Sequence, residues 1–311
     1  MCRNPVSLVV VCLAMVAMSV CASVATADYT PINVPGAAWT SANGVDSSVN
    51  TIVGYFVDAG AYRQHGFVDV GGSFTTIDAW VGAQDIYVWG VSGTNVVGWC
   101  YYFSQERGFI YNCATTGLTQ VLVPNSLNTF AACISGNTIG GWYYDKYGSQ
   151  HGFLDNNGVF TTIDVLVSGA TDTSICGISS NGKYVGTYSD VSSDEQGFFF
   201  DGAGFVTLSM PNVGPVFPSG IDGNNIVGSY IDSSGNQHGF LDNNGVFTTI
   251  DVPIPGTNWT GINGISGNEI VGTCSYGLGD PYSFSREIPE PVAVTLFCFG
   301  AVVFFRRRRR V

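Results

Sequence analysis

In this 311-residue chain the side chains best suited to metal or proton chemistry are three histidines, His65, His151 and His238. Each is followed by glycine and phenylalanine, so the three share one local setting. Three neutral imidazoles with an open fourth position make a catalytic type of zinc centre. The histidines are therefore candidate metal ligands if the segment that carries them lines a common axis. The competing expectation is a hydrogen bond within each local unit, because Arg107, Gln196 and Tyr282 fill the same slot elsewhere. Carboxylates form the second candidate set. Asp78, Asp164 and Asp251 end a recurring Phe-Thr-Thr-Ile-Asp run, and Asp58, Asp145 and Asp232 open turns. Two carboxylates flanking a glycosidic bond can hydrolyse it. A catalytic pair belongs in one place, however, and these aspartates recur, so turn capping is their expected role. The sequence carries no nucleophile elbow, zinc-protease helix, P-loop or dinucleotide fingerprint. No catalytic residue and no cofactor are assigned.

What must position these residues is a repeat. The Gly-Phe motif recurs at Gly66, Gly108, Gly152, Gly197 and Gly239 and ends as Tyr282-Ser283-Phe284, with spacings of 42, 44, 45, 42 and 44 residues. A second marker keeps the same period: Ile52-Val53-Gly54, Val96-Val97-Gly98, Ile139-Gly140-Gly141, Tyr184-Val185-Gly186, Ile226-Val227-Gly228 and Ile270-Val271-Gly272. A third is the Phe-Thr-Thr-Ile-Asp run itself, and Tyr29-Thr30-Pro31-Ile32-Asn33 reads as its sixth copy. Each unit holds four short β-prone runs. Asp-Asn-Asn-Gly at 155–158 and 242–245 marks hairpins between the third and fourth runs.

Both faces of Ile52–Val57 are apolar, so that run is covered on both sides. Four-stranded sheets at this period, covered by neighbours, describe an all-β six-bladed β-propeller. A parallel β-helix is the alternative, and the hairpin turns argue against it. If each blade begins with the run ending in Gly-Ile, residues 29–33 supply the missing strand of the last blade and close the ring non-covalently, leaving no open edge. Trp39 and Trp259 are repeat-equivalent, suited either to packing between blades or to stacking on sugar rings. Cys133 and Cys176 fall one residue out of step in neighbouring units, as small buried apolar residues or as a disulfide between blades.

Charge excludes one class of partner. Between Asp28 and Pro291 there are five basic residues against all 23 acidic ones, a net charge near −18. Such a field repels phosphate backbones, so nucleic acid is not an expected partner.

The two ends carry addresses. Arg3, an apolar run over 6–20 and the small-x-small site Ala25-Thr26-Ala27 form a signal peptide, with cleavage after Ala27. At the other end Pro289-Glu290-Pro291 precedes an uncharged run, Val292 to Phe305, and then Arg306, Arg307, Arg308, Arg309 and Arg310. As a helix the run is about 21 Å long, short against a hydrocarbon core of about 30 Å, although arginines extend the anchored length. This tripartite tail closely resembles the PEP-CTERM sorting signal of Gram-negative bacteria. The resemblance implies a transmembrane segment held transiently in the inner membrane, an exosortase partner, release to the cell surface or exterior, and association with exopolysaccharide. The repeat as it stands in GINGISGNEIVG (261–272) and from Tyr230 to Phe240 resembles the HAF-type extracellular repeat proteins of bacteria. That family brings no catalytic residues. The expected organisation is a signal peptide at 1–27, a repeat body at 28–287 and a sorting signal at 288–311. The expected function is an exopolysaccharide-associated binding or structural protein, not an enzyme. A carbohydrate-active enzyme on the same scaffold is the alternative.

Overall fold

The computed structural model describes residues 29–210, 213–276 and 281–288. The signal segment with Ala27, the Pro289-Glu290-Pro291 tripeptide, the apolar run and Arg306 to Arg310 lie outside the described residues, and with them the expected signal and transmembrane helices. Among the described residues no helix is long and apolar enough to cross a membrane.

The chain folds as six four-stranded antiparallel sheets arranged as the blades of a propeller. The first strands of the blades are Ala37–Asp46, Gln84–Ser92, Asn128–Ser135, Thr171–Ile178, Val216–Asp222 and Thr257–Ser266. In blades one to five the four strands follow in chain order. In the sixth, the first three strands come from the end of the chain and Thr30–Ile32 pairs antiparallel with Pro281–Glu287 as the outermost strand. The ring is thus closed by the N-terminal strand, as its Phe-Thr-Thr-Ile-Asp-like sequence predicts. Every ladder within a blade is antiparallel, which excludes the parallel β-helix.

Local chemistry explains the hairpins. In blade three Asn157 and Gly158 have φ of 53° and 86°, the two positive values of a type I′ turn, and Asp155 Oδ1 accepts from Gly158 N at 2.6 Å. The turns between second and third strands use an aspartate side chain instead: Asp232 Oδ1 accepts from Ser234 N and Asn236 N, each at 2.8 Å.

Packing between blades rests on two repeat positions. The phenylalanines of the Gly-Phe motif, Phe67, Phe109, Phe153, Phe198, Phe240 and Phe284, are all fully buried. The glycine before each leaves room for the next blade: a Cβ on Gly66 would lie 2.6 Å from Val88 Cγ2. In the sixth unit serine replaces that glycine, and the change has a function. Ser283 Oγ donates to Thr40 O at 2.7 Å and accepts from Ala42 N at 2.9 Å, tying the C-terminal strand of blade six to the first strand of blade one across the non-covalent closure.

The first strand of each blade is the innermost. A Cβ on Gly177 would lie 2.9 Å from Gly220 Cα; on Gly220, 3.3 Å from Gly264 Cα; and on Gly264, 3.3 Å from Gly44 Cα. The first strands therefore touch one another around the axis. Just before this glycine ring each first strand bulges, in blade one between Ala42 and Gly44 and in blade six between Ile262 and Gly264. A bulge inserts an unpaired residue. Here those residues are Asn43, Trp89, Ala132, Cys176, Ser219 and Asn263, and together they line a narrow axial channel of about 70 Å³.

Candidate functional site

Above this channel, on the side where the first strands begin, lies a cavity of about 720 Å³. That is ample for a sugar-sized or drug-sized ligand. Its shape follows from unequal filling of equivalent positions. The residue after each Ile-Val-Gly glycine occupies one repeat offset, and in blades three to six it lines this cavity. It is Tyr55, Trp99 and Trp142 in blades one to three, but Thr187, Ser229 and Thr273 in blades four to six. The large residues interlock as a continuous aromatic arc. Ring centroids lie 5.0 Å apart for Tyr55–Tyr87, 4.0 Å for stacked Tyr87–Trp99, 5.1 Å for Trp99–Phe130 and 5.0 Å for stacked Phe130–Trp142. The small residues leave the space opposite. Trp89, Trp142, Tyr144, Phe217 and Trp259 give the cavity apolar walls, while Gln150, Glu195, Gln237 and Asn263 give it polar atoms. Trp259 is thus a half-buried wall of the cavity, not a residue of a blade core.

The polar atoms are held by the frame. Gln150 Nε2 donates to Ser174 Oγ at 2.8 Å and to Asp172 O at 3.2 Å. Asn263 Nδ2 donates to Ala42 O at 2.8 Å, and Ser219 Oγ donates to Ile262 O at 2.5 Å, each crossing to the next blade. Asn43 Nδ2 does the same toward Val88 O at 2.8 Å. The bulge residues of blades five, six and one therefore staple the ring at its closure. Glu195, at the start of the third strand of blade four, is the one carboxylate lining the cavity among the described residues. Burial and then the charge of Glu195 push the neighbouring Cys176 thiol up to about 12.

The three histidines do not meet. They lie near the start of the third strands of blades one, three and five, whereas the first strand is innermost, so the condition for a shared three-histidine centre, that their strand lines the axis, is not met. Each histidine is instead held within its own blade. Nδ1 lies 2.9, 2.8 and 2.9 Å from Asp78, Asp164 and Asp251 for His65, His151 and His238, respectively. On the far side of each ring stand Asp58, Asp145 and Asp232, with His238 Nε2 only 3.3 Å from Asp232 Oδ2. Both candidate sets thus join into three Asp-His-Asp groups. At His238, where both ring nitrogens lie within hydrogen-bond reach of carboxylates, the contacts favour imidazolium, since a neutral ring has one donor. Burial opposes that charge at His238, but hydrogen bonds to Asp251 and Asp232 outweigh it and its pKa is raised. Backbone donors, Asn236 first, bring Asp232 down to about 2. No group of three or more His, Cys, Asp or Glu side chains suited to a metal ion occurs among the described residues.

All five cysteines of the body are free thiols, so no disulfide joins Cys133 to Cys176. Cys133 stands at the ring position that glycine holds in the other blades, whereas Cys176 is a bulge residue facing the channel.

The residues that shape the cavity were not singled out from the sequence, apart from Trp259 and Cys176. The signal that would have found them is unevenness. At one repeat offset, three bulky aromatics give way to Thr, Ser and Thr.

No family model matches this sequence, and no curated protein does. Solved structures share the fold. The β-propeller domain of the Trilobed protease from Pyrococcus furiosus, which has an open velcro topology, aligns with a TM-score of 0.51 at 10% identity over 85% of this chain and 100% of that one. A triple arginine-to-alanine mutant of AofleA from Arthrobotrys oligospora aligns with a TM-score of 0.50 at 10% identity, over 80% and 83%. A six-bladed fungal lectin from Aleuria aurantia aligns with a TM-score of 0.46 at 14% identity, over 83% and 99%. The first of these likenesses supports the propeller fold alone and leaves the ligand to the chain's own residues.

Proposed function

We propose that this chain is an exported, non-catalytic protein of the cell surface or extracellular matrix, and that it holds a segment of exopolysaccharide in the cavity at the mouth of its axial channel. On this reading the tail acts as a PEP-CTERM signal. It parks the protein in the inner membrane until an exosortase cleaves near Pro289-Glu290-Pro291 and releases it to the surface. One observation carries the binding reading: a 720 Å³ cavity whose walls are aromatic faces and whose rim is fixed amides and one carboxylate. Sugar rings have an apolar face that stacks on aromatic side chains and hydroxyls that bond to amides and carboxylates. The same lining argues against turnover, because glycoside hydrolysis takes two carboxyl groups across the bond and Glu195 is the one carboxylate among the described lining residues.

Binding is tested by titrating the full-length chain with exopolysaccharide from an exosortase-bearing host while following reducing ends. Saturable binding that Trp142→Ala weakens at least tenfold, with no new reducing ends, is the expected result. Release of product, abolished by Glu195→Gln, would make the protein a carbohydrate-active enzyme. Sorting is tested separately by mass spectrometry of the C-terminus from native cells. The expected mature chain ends close to Pro289, and an intact tail would leave a plain membrane anchor.

A further inference from the structure

The polar groups of the cavity are unbalanced in a way that specifies the ligand. Three of its polar side chains, Gln150, Asn263 and Ser219, already spend their donors on the frame. Both N–H groups of Gln150 bond to Asp172 O and Ser174 Oγ. The Asn263 amide nitrogen bonds to Ala42 O and reaches Thr273 Oγ1 at 3.5 Å, and the Ser219 hydroxyl bonds to Ile262 O. What these side chains keep is acceptor capacity: Gln150 Oε1, Asn263 Oδ1 and the carboxylate of Glu195. Among the described residues every ion pair is a His–Asp pair, so no cation neutralises Glu195. Among the described residues no lysine or arginine lines the cavity. The turns that rise beside it in blades three to five carry Asp145, Asp190, Asp194 and Asp232, and the one base there, Lys146, lies over the ring of Tyr147, 4.8 Å from its centroid.

A site with held acceptors, an unpaired carboxylate and no basic side chain among its described lining residues is complementary to a ligand that brings donors and positive charge. An ammonium group has three N–H donors and no acceptor. Aromatic walls add attraction for a cation over their faces. We infer that the cavity selects a saccharide unit bearing a free protonated amine, an amino sugar of a partly deacetylated polysaccharide, and rejects uronic acids. The inference rests on the saccharide-binding reading above and narrows its ligand. Glu195 receives the ammonium, Gln150 and Asn263 accept its remaining protons or neighbouring hydroxyls, and Trp142 and Trp259 hold the sugar's apolar face.

The test is calorimetric titration of the full-length chain and two variants with three oligosaccharides of matched length. These are β-1,4-linked glucosamine, its fully N-acetylated counterpart and an oligouronate. The expected result is that the wild type binds the amine form at least tenfold more tightly than the acetylated form and does not bind the uronate. Glu195→Gln should reduce that preference to about threefold or less, a loss of order tenfold for one charge-assisted contact. Trp142→Ala should weaken amine and acetylated forms alike. A polycation attracted merely by the acidic surface would keep its preference in Glu195→Gln, because that variant leaves nearly all of the negative charge in place; retention of the preference therefore overturns the inference. Equal binding of amine and acetylated forms, both weakened by Trp142→Ala, would also overturn it while leaving the saccharide site standing. Binding of none of the three would remove the site as well.

Discussion

A compensated pair in blade three allows the packing argument to be tested quantitatively. In five blades the ring glycine of the first strand faces a fully buried valine of the second: Gly44–Val53, Gly90–Val97, Gly177–Val185, Gly220–Val227 and Gly264–Val271. In blade three the sizes are exchanged, and buried Cys133 faces Gly140. A Cβ built on Gly140 would lie 2.7 Å from Ile178 Cδ1, 2.9 Å from Cys133 Sγ and 3.0 Å from Ile175 Cγ2. Gly140→Val alone therefore overpacks the site and should cost about 1–3 kcal/mol. Cys133→Gly alone removes two buried heavy atoms and adds backbone freedom, at roughly 2–3 kcal/mol. Together they recreate the glycine–valine pairing of the other blades, where Val227 already packs beside Ile262 and Ile265 as the new valine would beside Ile175 and Ile178. The double variant should lie within about 1 kcal/mol of wild type, a coupling of at least about 2 kcal/mol. Urea unfolding followed by tryptophan fluorescence reads this as midpoint shifts at constant slope. If the two losses simply add, the exchange of sizes is coincidental and Cys133 has another role.

Three further outcomes follow from the seam, the histidines and the cavity. Ser283→Gly restores the residue of the other blades without steric cost but removes two buried hydrogen bonds across the closure; about 1–3 kcal/mol should be lost in the same urea assay, and no loss would mean the seam is held by Thr30–Ile32 alone. His238 has a folded pKa raised above its unfolded value of 6.5, so its contribution is complete below about pH 6.5 and fades as pH rises through the folded value. The thermal midpoint should therefore fall from pH 6 to pH 8, and His238→Gln should flatten part of that slope; an unchanged slope refutes the imidazolium assignment. The contribution of Asp232 has the opposite sense, present above its ordinary 3.8 and lost only as pH falls toward about 2. Finally, Thr187→Trp, which continues the aromatic arc into blade four, should fill part of the cavity and weaken saccharide binding at least tenfold with the fold intact by circular dichroism; undiminished binding would place the ligand elsewhere.

Much of the architecture was legible in the sequence because it is written six times. Gly66-Phe67 and its copies give the period, Asn157-Gly158 and Asn244-Gly245 give the hairpins, and the match of residues 29–33 to the fourth-strand run gives the closure. The local reading failed where a repeat position had to be placed relative to the axis. His65, His151 and His238 are equivalent, yet equivalence alone does not say whether three side chains converge or radiate. Ser283 looked like decay of a motif and is a hydrogen bond across the seam.

The sequence by itself determined the number of blades, the order of strands and the way the ring shuts, since local turn chemistry and a two-sided apolar pattern recur at each unit and constrain one another. Only the tertiary structure decided which strand faces the axis, and therefore that Trp142, Glu195 and Trp259 share one cavity while the histidines do not share a site. The physical reason is that alternation along a strand separates its two faces but carries no information about which edge of the blade points inward. That edge is chosen by close contacts between glycines such as Gly220 and Gly264, in different blades, which exist only once the ring has closed.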